Sequence, residues 1–488
     1  MFNKDYINDT IAAQCSGMTQ AGIGVIRISG KDAIDVADKI FLTGAGKKIS
    51  EFPNNSIRHG FIHDIRKTVP EKTDEVMLSV MRGPHSYTGE DVVEVNCHGG
   101  FYITKKILEI IFSTGVRPAE PGEFTKRAFL NGRMDLSEAE AVMSLINSKN
   151  EDALKNSMDQ LSGRLKSRII SLRKDILFET AYIESALDDP EHYDLTGYPE
   201  KLKEKVIVFS KAIADMKDSY DNGRIMQDGV RTAILGKPNA GKSSLLNNIS
   251  GYDRAIVTDI AGTTRDSIEE NVNFGKLQLR LIDTAGIRNA DDTVEKIGVE
   301  RAFEQADKAD MIFFVLDSSV PIDENDKKII EFIKDKNAVI ILNKSDLPPV
   351  LDEKKIKEDL TNSFPVIKIS SKTGEGIDEL KELTEKFFED PDHGLNDEII
   401  ITNARHKKEL DQAYDSLQLV IKSIDDGMQE DFFSIDLMSA YEHLGYIIGE
   451  DVEYRVFYFF GNMLKCSFVI FGCAYSAVDR ITDIIAAS

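Results

Sequence analysis

The eight residues from Gly236 to Ser243 have the types and the spacing that phosphate binding requires. They read Gly-Lys-Pro-Asn-Ala-Gly-Lys-Ser, which fits Gly-x4-Gly-Lys-Ser, and they lie between a strand-like run, 231–235, and a helix-like run, 244–248. The glycines let backbone N–H groups close around phosphate oxygens, and the helix adds the positive end of its dipole. We therefore expect Lys242 to reach the β- and γ-phosphates of a nucleotide, and Ser243 to hold Mg²⁺.

Two motifs downstream fit the magnesium and γ-phosphate side of the same site. Residues 283–286, Asp-Thr-Ala-Gly, follow the strand-like run 277–282, so the carboxylate at the strand end can hold Mg²⁺ directly or through water. The N–H group of Gly286 can face the γ-phosphate. The segment 262–266, Gly-Thr-Thr-Arg-Asp, suits a mobile switch, in which we assign Thr264 as a second Mg²⁺ ligand.

Two further motifs indicate that the base is guanine. Residues 343–346, Asn-Lys-Ser-Asp, follow the apolar run 338–342, and the Asp346 carboxylate can accept from guanine N1–H and from the exocyclic N2 amine. Adenine offers neither donor there, so a buried acceptor would be left unpaired. Residues 370–372, Ser-Ser-Lys, follow the strand-like run 366–369 and are expected to close over the base. The ordered set predicts an α/β P-loop domain that binds GTP.

The predicted GTP contacts come from the phosphate loop, the switch and the base-side motifs. They are Asn239, Ala240, Gly241, Lys242, Ser243, Ser244, Thr258, Gly262, Thr263, Thr264, Asp283, Thr284, Ala285, Gly286, Asn343, Lys344, Asp346, Ser370, Ser371 and Lys372.

Hydrolysis needs a group that positions the attacking water, and the usual one is absent from its place. Ras-like GTPases have a glutamine directly after the Asp-x-x-Gly motif, whereas this chain has Ile287, whose side chain cannot hydrogen-bond water. Asn239 could help to hold a cation near the phosphates. Glu295 could orient the water, but the residues alone also fit a charged side chain on a solvated helix face. We assign Lys242, Asn239 and Glu295 as candidate catalytic residues.

Composition restricts the class of protein. The chain has 488 residues, enough for about three domains. Its net charge of −23 argues against broad nonspecific binding to nucleic acid, so a nucleic-acid partner would need a local basic patch or a helper protein. The four cysteines form no Cys-x-x-Cys pair, which argues against a zinc site or a disulfide framework. The N-terminus lacks an apolar signal core, and we expect a cytoplasmic protein.

Hydrophobic periodicity divides the chain into four segments. Residues 1–118 alternate strand-like and helix-like runs, which predicts an α+β domain. Helical spacing fills 119–223, the GTPase motifs occupy 224–388, and helical spacing returns in 389–488. We therefore predict a GTPase domain inserted into a helical domain, so that nucleotide-driven motion can push on both helical halves. The apolar stripe that predicts a helical core face comprises Leu154, Met158, Leu161, Leu165, Ile169, Leu172 and Ile176.

Several motifs outside the GTPase block are also specific. They are Asp9-Thr-Ile-Ala-Ala13, Ile26-Arg-Ile-Ser-Gly30, Ser86-Tyr-Thr-Gly-Glu-Asp91, His98-Gly-Gly100, Pro121-Gly-Glu-Phe-Thr-Lys-Arg-Ala-Phe-Leu-Asn-Gly132, and Asp135-Leu136 with Glu138-Ala-Glu-Ala141. With these motifs the chain closely resembles the MnmE (TrmE) family of bacterial tRNA modification GTPases, from residue 8 to about 453. The GTPase motifs alone fit Era-like ribosome-assembly switches equally well, which leaves that class as the alternative.

The resemblance implies chemistry that spacing does not show. The family's N-terminal domain forms a homodimer and binds a tetrahydrofolate one-carbon donor, in a 5-formyl or methylene form, and Arg27 and Glu94 lie on segments similar to its folate-facing region. The family works in a heterotetramer with the FAD-dependent MnmG. Together they add a carboxymethylaminomethyl or aminomethyl group at carbon 5 of the wobble uridine of certain tRNAs. Asn239 matches the family's K⁺ ligand, and Glu295 matches its water-orienting glutamate. No membrane partner is expected.

The last part of the chain departs from this resemblance. The family ends in Cys-x-Gly-Lys, which does not occur after residue 453, where an aromatic-rich run leads to Cys466. Asn462 and Lys465 near the middle of the apolar run disfavour a membrane helix, and a frameshifted or degenerate end or a fused tail are the other interpretations. If the family's terminal cysteine is needed for the folate-linked chemistry, we expect GTP hydrolysis with little or no tRNA modification.

Overall fold

The protein is represented by a computed structural model, which describes residues 9–17, 20–193, 195–251, 270–275, 277–282, 303–351, 364–388 and 399–450. These residues form two compact units. The first holds residues up to 143 together with 159–168 and 448–450, and the second holds 144–158 and 169–447. Each unit has its own buried apolar core.

The first unit is built on a seven-stranded sheet with the order β3-β4-β5-β6-β2-β1-β7. Neighbouring strands are antiparallel except β1 and β7, which are parallel. Buried side chains recur at every second position of strands such as β2 and β6, so one face of the sheet lies on the core. The strands are β1 (Ile11–Gln14), β2 (Ile23–Ser29), β3 (Phe41–Thr43), β4 (Ser56–Asp64), β5 (Glu71–Met81), β6 (Val92–His98) and β7 (Arg117–Pro118).

Helices pack their apolar side chains into the core of this unit. On α2, the buried residues Ile107, Ile110 and Ile111 follow the spacing of one helix face. The alternation of strand-like and helix-like runs predicted for residues 1–118 is confirmed by elements such as β2, β6 and the helix α2 that follows the His-Gly-Gly motif. The helices are α1 (Ala33–Ile40), α2 (Phe101–Phe112), α3 (Glu123–Leu130) and α4 (Leu136–Asn147).

A buried arginine ties α3 to this sheet. The residue Arg127 is 2% exposed, and its Nη1 donates to the Asp9 backbone oxygen at 2.8 Å and lies 3.3 Å from Glu90 Oε2. Its Nη2 lies 3.2 Å from Glu123 Oε1, which also accepts from Arg117 Nη2 at 2.6 Å. Because a buried charge is tolerated only when it is paired, this network accounts for four charged residues of the motifs that begin at residues 9, 86 and 121: Asp9, Glu90, Glu123 and Arg127.

Four helices precede the second sheet, and the predicted apolar stripe is only partly a core face. Its members from residue 165 onward are buried, whereas Leu154 and Met158 are 46% and 50% exposed. The prediction of one continuous core stripe is wrong there, because the chain turns at Gly163, with φ of +82°, and the helical register is not carried across the turn. The helices are α5 (Glu151–Leu161), α6 (Arg164–Asp188), α7 (Tyr198–Asp218) and α8 (Tyr220–Asp228).

The second sheet has six strands in the order β13-β12-β11-β8-β10-β9 and is parallel except for the β9–β10 pair. Strand β12 is buried at every position, as expected for a parallel sheet covered on both faces. The carboxyl ends of its parallel strands meet at one edge. The elements are β8 (Val230–Leu235), α9 (Lys242–Gly251), β9 (Glu270–Phe274), β10 (Leu277–Ile282), β11 (Met311–Asp317), α10 (Glu324–Ile333), β12 (Ala338–Asn343), β13 (Val366–Lys368) and α11 (Ile377–Phe388).

The chain leaves and rejoins the helical part at neighbouring points. After the second sheet it forms α12 (Ala404–Asp425) and α13 (Glu430–Ile448). Just before α12, the Ile401 N–H donates to Ser219 Oγ at 3.0 Å, and a Cβ added to Gly223 would lie 2.2 Å from the Ile401 oxygen. The α/β part is therefore an insertion between two helical segments.

The predicted fold class is confirmed: an α+β N-terminal domain, a helical domain in two segments, and an inserted α/β P-loop domain. The residue boundaries assigned to these domains stay predictions. Over the ranges that the structure describes, none of the helices has both the length and the apolar character needed to cross a membrane.

Candidate functional site

The phosphate loop connects β8 to the N-terminus of α9. Its residues Gly236, Asn239 and Gly241 have positive φ angles of 148°, 64° and 100°. A Cβ at Gly236 would lie 2.3 Å from the Val315 oxygen, and one at Gly241 would lie 2.0 Å from Asn343 Nδ2. The two glycines are therefore required both by the backbone conformation and by the close approach of neighbouring strands.

The ammonium group of Lys242 is turned onto the backbone of the same loop. Its Nζ donates to the oxygens of Gly236 at 2.6 Å and Lys237 at 2.7 Å. Burial lowers the pKa of Lys242 to about 8. No carboxylate forms an ion pair with Lys242 in the described part of the chain. The half-buried Lys242 ammonium, with two carbonyl oxygens as its partners, suits an incoming phosphate. The negative charge of a phosphate would favour the protonated form of the lysine.

A buried amide joins the phosphate loop to the base-side loops. Asn343 at the end of β12 is 1% exposed, and its Nδ2 donates to the Ala240 oxygen at 2.7 Å. Its Oδ1 accepts from the Ser371 N–H at 2.9 Å. The Ser371 oxygen in turn accepts from Asn248 Nδ2 on α9 at 2.5 Å. One asparagine therefore sets the spacing between the phosphate side and the base side of the site.

The carboxylate proposed to read guanine lies at the mouth of the site. Asp346 is exposed, and its Oδ1 accepts from Ser370 Oγ at 2.8 Å. Lys344 has a positive φ of 63°, and its Nζ contacts Asp317 Oδ2 at 2.5 Å. The hydroxyl of Ser370 orients one carboxylate oxygen and leaves the second to face a base.

The remaining predicted contacts divide into two groups. Asn239, Ser243, Ser244 and Lys372 are exposed at the same edge of the sheet, and Ala240 is buried beneath them. The other predicted residues lie outside the described residues. They are Thr258, Gly262, Thr263, Thr264, Asp283, Thr284, Ala285, Gly286 and Glu295, together with Ile287.

In the first unit, the structure brings Arg27 and Glu94 together. They face each other across the β2–β6 pair, and Arg27 Nη2 lies 2.7 Å from Glu94 Oε1. The guanidinium of Arg27 also lies 4.5 Å from the ring centre of Tyr87 and 5.4 Å from that of Phe124. The result is a half-buried ion pair beside two aromatic rings.

Comparison with known proteins covers both units. A family model described as the GTP-binding protein TrmE N-terminus matches residues 10–133, and one described as the MnmE helical domain matches residues 136–457. The tRNA modification GTPase MnmE of Lachnoclostridium phytofermentans is 53% identical over 447 residues, which are 91% of this chain and 96% of that protein. This chain belongs to the MnmE family. Proteins of the same name from Clostridioides difficile and Acetivibrio thermocellus are 46% and 45% identical, each over 92% of this chain and 96% of their own.

Membership of the MnmE family decides between the two functional classes left open by the sequence. An Era-like switch would account for the GTPase motifs, but not for the matches to the N-terminal and helical parts.

Three residues that contact these sites were not predicted from the sequence. Asp317, which pairs with Lys344, lies at the end of β11, directly opposite Asn343 in the β11–β12 register. Its place at a strand end, next to a motif strand, was the signal that could have identified it. Tyr87 and Phe124, beside Arg27, come from loop and helix positions distant in sequence. Both lie in motifs that carry the family resemblance, which was the signal that could have identified them.

The lowered pKa of Lys242 predicts a pH dependence of nucleotide binding. Below pH 8 the side chain is charged with or without nucleotide, so binding takes up no proton at this residue. Above pH 8 the nucleotide-free side chain loses its proton, and a bound phosphate restores it because it favours the charged form. We expect uptake approaching one proton per GDP at pH 9 and an affinity that weakens as the pH rises above 8.

Calorimetry in two buffers of different ionisation enthalpy measures this uptake, and the same titration at pH 6.5 is the control. The effect of pH on folding stability has the opposite sign to its effect on nucleotide affinity. The lowered pKa of Lys242 costs stability below pH 8. Stability rises between pH 8 and 10.5, the ordinary pKa of a lysine, because the unfolded chain binds one more proton than the folded chain in this range. Zero uptake at pH 9 would contradict the assignment of Lys242 to the phosphate.

Proposed function

We propose that this MnmE-family chain hydrolyses GTP in the modification of carbon 5 of the wobble uridine of certain tRNAs, with an FAD-dependent MnmG-like partner. The observation that carries the proposal is the Asn343 bridge, which joins a phosphate loop and a guanine-side loop into one site. The relatives named tRNA modification GTPase match 91–92% of this chain.

GTP would lie along the edge formed by the carboxyl ends of β8 and β12. Lys242 would bind the β- and γ-phosphates, and the loop N–H groups would surround them. Ser243 at the start of α9 fits an Mg²⁺ ligand, and we propose Thr264 as the second, with Asp283 alongside. A bound Mg²⁺ neutralises charge on the β- and γ-phosphate oxygens. The chain's own contribution is to hold the phosphates in place and keep Lys242 charged against them.

Base recognition is proposed for Asp346, oriented by Ser370. In Asp346→Asn, an amide donor would face the donors of guanine and a charge-assisted pair would be lost, so we expect GTP affinity to fall by about tenfold or more. Xanthosine triphosphate should be tolerated better. Calorimetric titration of both nucleotides measures this, with Asp378→Asn, an exposed carboxylate on α11, as the matched control. Unchanged GTP affinity would remove Asp346 from the base site.

A monovalent cation is proposed to take part in hydrolysis. Asn239 is exposed in the phosphate loop and has a left-handed backbone conformation, with φ of 64°. We propose that it holds K⁺ and that Glu295 orients the attacking water, since Ile287 cannot. Replacing Asn239 and replacing Glu295 should therefore have different effects on GTP hydrolysis.

We expect the wild-type turnover to be severalfold higher in KCl than in NaCl of equal ionic strength. Asn239→Ala should abolish this difference, whereas Glu295→Ala should lower kcat strongly in both salts and leave nucleotide affinity nearly unchanged. Asn325→Ala, a change at the exposed start of α10, is the control. Equal wild-type rates in the two salts at saturating GTP would contradict the potassium proposal, and normal hydrolysis by Glu295→Ala would return that residue to a solvated surface charge.

A tetrahydrofolate one-carbon donor is proposed to bind beside Arg27 and Glu94. The pair fits such a ligand, because a carboxylate can accept from the pterin N–H groups and the rings of Tyr87 and Phe124 offer apolar faces near the guanidinium. The same proposal includes a homodimer, a heterotetramer with the MnmG-like partner and a cytoplasmic location. It also includes domain limits at residues 118, 223 and 388.

The overall function is tested in cells whose own MnmE-family protein has been deleted. Mass spectrometry of wobble nucleosides from cells carrying this chain measures modification, and the purified chain gives the rate of GTP hydrolysis. The proposed GTP contacts all lie before residue 453, so we expect hydrolysis whatever the sequence of the tail. If the family's terminal cysteine is needed for the folate-linked chemistry, residues 454–488, which lack Cys-x-Gly-Lys, should support little or no modification. Replacing residues 454–488 with a short helix ending in Cys-x-Gly-Lys should restore modification. Full modification by the unaltered chain would show that this cysteine is dispensable, and absence of hydrolysis would contradict the proposed function itself.

A further inference from the structure

The second residue of the phosphate loop, Lys237, is anchored outside the loop. Its Nζ lies 2.6 Å from Asp326 Oδ2 and 3.0 Å from Asp323 Oδ2, both at the N-terminus of α10. The Lys237 side chain is 19% exposed, whereas Asp326 is 1% exposed. The phosphate loop is thereby tied to a helix that contributes none of the predicted nucleotide contacts.

The two carboxylates also hold the start of α10. Asp323 is the N-cap, and its Oδ1 accepts from the N–H groups of Asn325 and Asp326 at 2.9 and 3.1 Å. Asp326 Oδ2 accepts in return from the Asp323 N–H at 3.1 Å, which completes a capping box. The helix start is therefore a rigid anchor for the ammonium of Lys237.

The buried carboxylate depends on that ammonium. Asp326 Oδ1 is buried and has no hydrogen-bond partner among the described residues. The charge of this carboxylate is therefore compensated at its other oxygen, by Lys237 and the backbone N–H. Removing one partner of a buried ion pair lowers stability, because the other charge is left unpaired. The ion pair with Asp326 therefore fixes the position of the Lys237 side chain.

The same residue holds Lys242 through its backbone. The Lys237 oxygen accepts from Lys242 Nζ at 2.7 Å, next to the Gly236 oxygen at 2.6 Å. We propose that Lys237 is a positioning residue for GTP hydrolysis: its ion pair with α10 places the carbonyl that aims the Lys242 ammonium at the phosphates. The proposal rests on the assigned role of Lys242, and displacement of that carbonyl would misplace a phosphate-binding charge.

The kinetic test compares Lys237→Met with Lys327→Met, which removes an exposed lysine of α10 that pairs with Glu324. We expect kcat/KM for GTP to fall by about tenfold in Lys237→Met, to change little in Lys327→Met, and to be largely recovered in Lys237→Arg. Asp326→Asn removes only the charge and should reproduce the loss, and the double variant Lys237→Met with Asp326→Asn should be no worse than either single variant. If either single variant differs from Lys327→Met by less than about twofold, the proposal fails.

A second measurement needs no nucleotide and so separates this proposal from the proposed function. Acetylation of Lys242 in the nucleotide-free protein at pH 8, followed by peptide mass spectrometry, reports how firmly its amine is held. We expect severalfold faster acetylation in Lys237→Met and in Asp326→Asn than in the wild type and Lys327→Met. Equal rates in all four proteins would overturn the positioning role even if the wild type hydrolyses GTP, and faster rates would support it whatever the wild-type activity.

Discussion

The side-chain amide of Asn343 is buried between two loops, and both of its polar atoms are used. One donates to the phosphate loop at Ala240, and the other accepts from the base-side loop at Ser371. Nucleotide recognition requires a fixed distance between the phosphate-binding loop and the base-binding loop. The amide of Asn343 fixes this distance because it is hydrogen-bonded to both loops. The glycine at 241 follows from the same contact, because any side chain there would collide with Asn343 Nδ2.

The electrostatics of the phosphate side follow from how its two lysines are paired. Lys237 is neutralised by carboxylates at the start of α10. Among the residues that the structure describes, Lys242 contacts backbone carbonyl oxygens and no carboxylate, and burial lowers its pKa to about 8. A charge that the fold does not compensate is compensated by a bound phosphate. In the phosphate loop, Lys237 therefore has a structural role, and Lys242 is available to a bound phosphate.

The inserted α/β part and the two helical segments meet at α8. The chain leaves through α8 and returns just before α12, and the backbone at Ile401 is in close contact with Gly223 and Ser219. On the other side of α8, Arg224 Nη2 lies 2.6 Å from Asp310 Oδ1 at the start of β11. The short helix α8 therefore contacts both the α/β sheet and the backbone that leads into α12.

The fold class, the order of the segments and the nucleotide motifs could all be predicted from the residues alone. These are local: glycines, strand-like runs and polar residues at strand ends lie within a few positions of one another, and their backbone conformation follows from those neighbours. The Asn343 bridge, the Lys237–Asp326 pair and the buried network of Arg127 could not be predicted and are seen only in the folded chain. The fold also showed that Leu154 and Met158 are exposed and do not lie in the core. The partners in the Asn343–Ala240 contact are 103 positions apart. Such contacts depend on which strands become neighbours in the sheet and on where a helix ends, and no local pattern of residues encodes either.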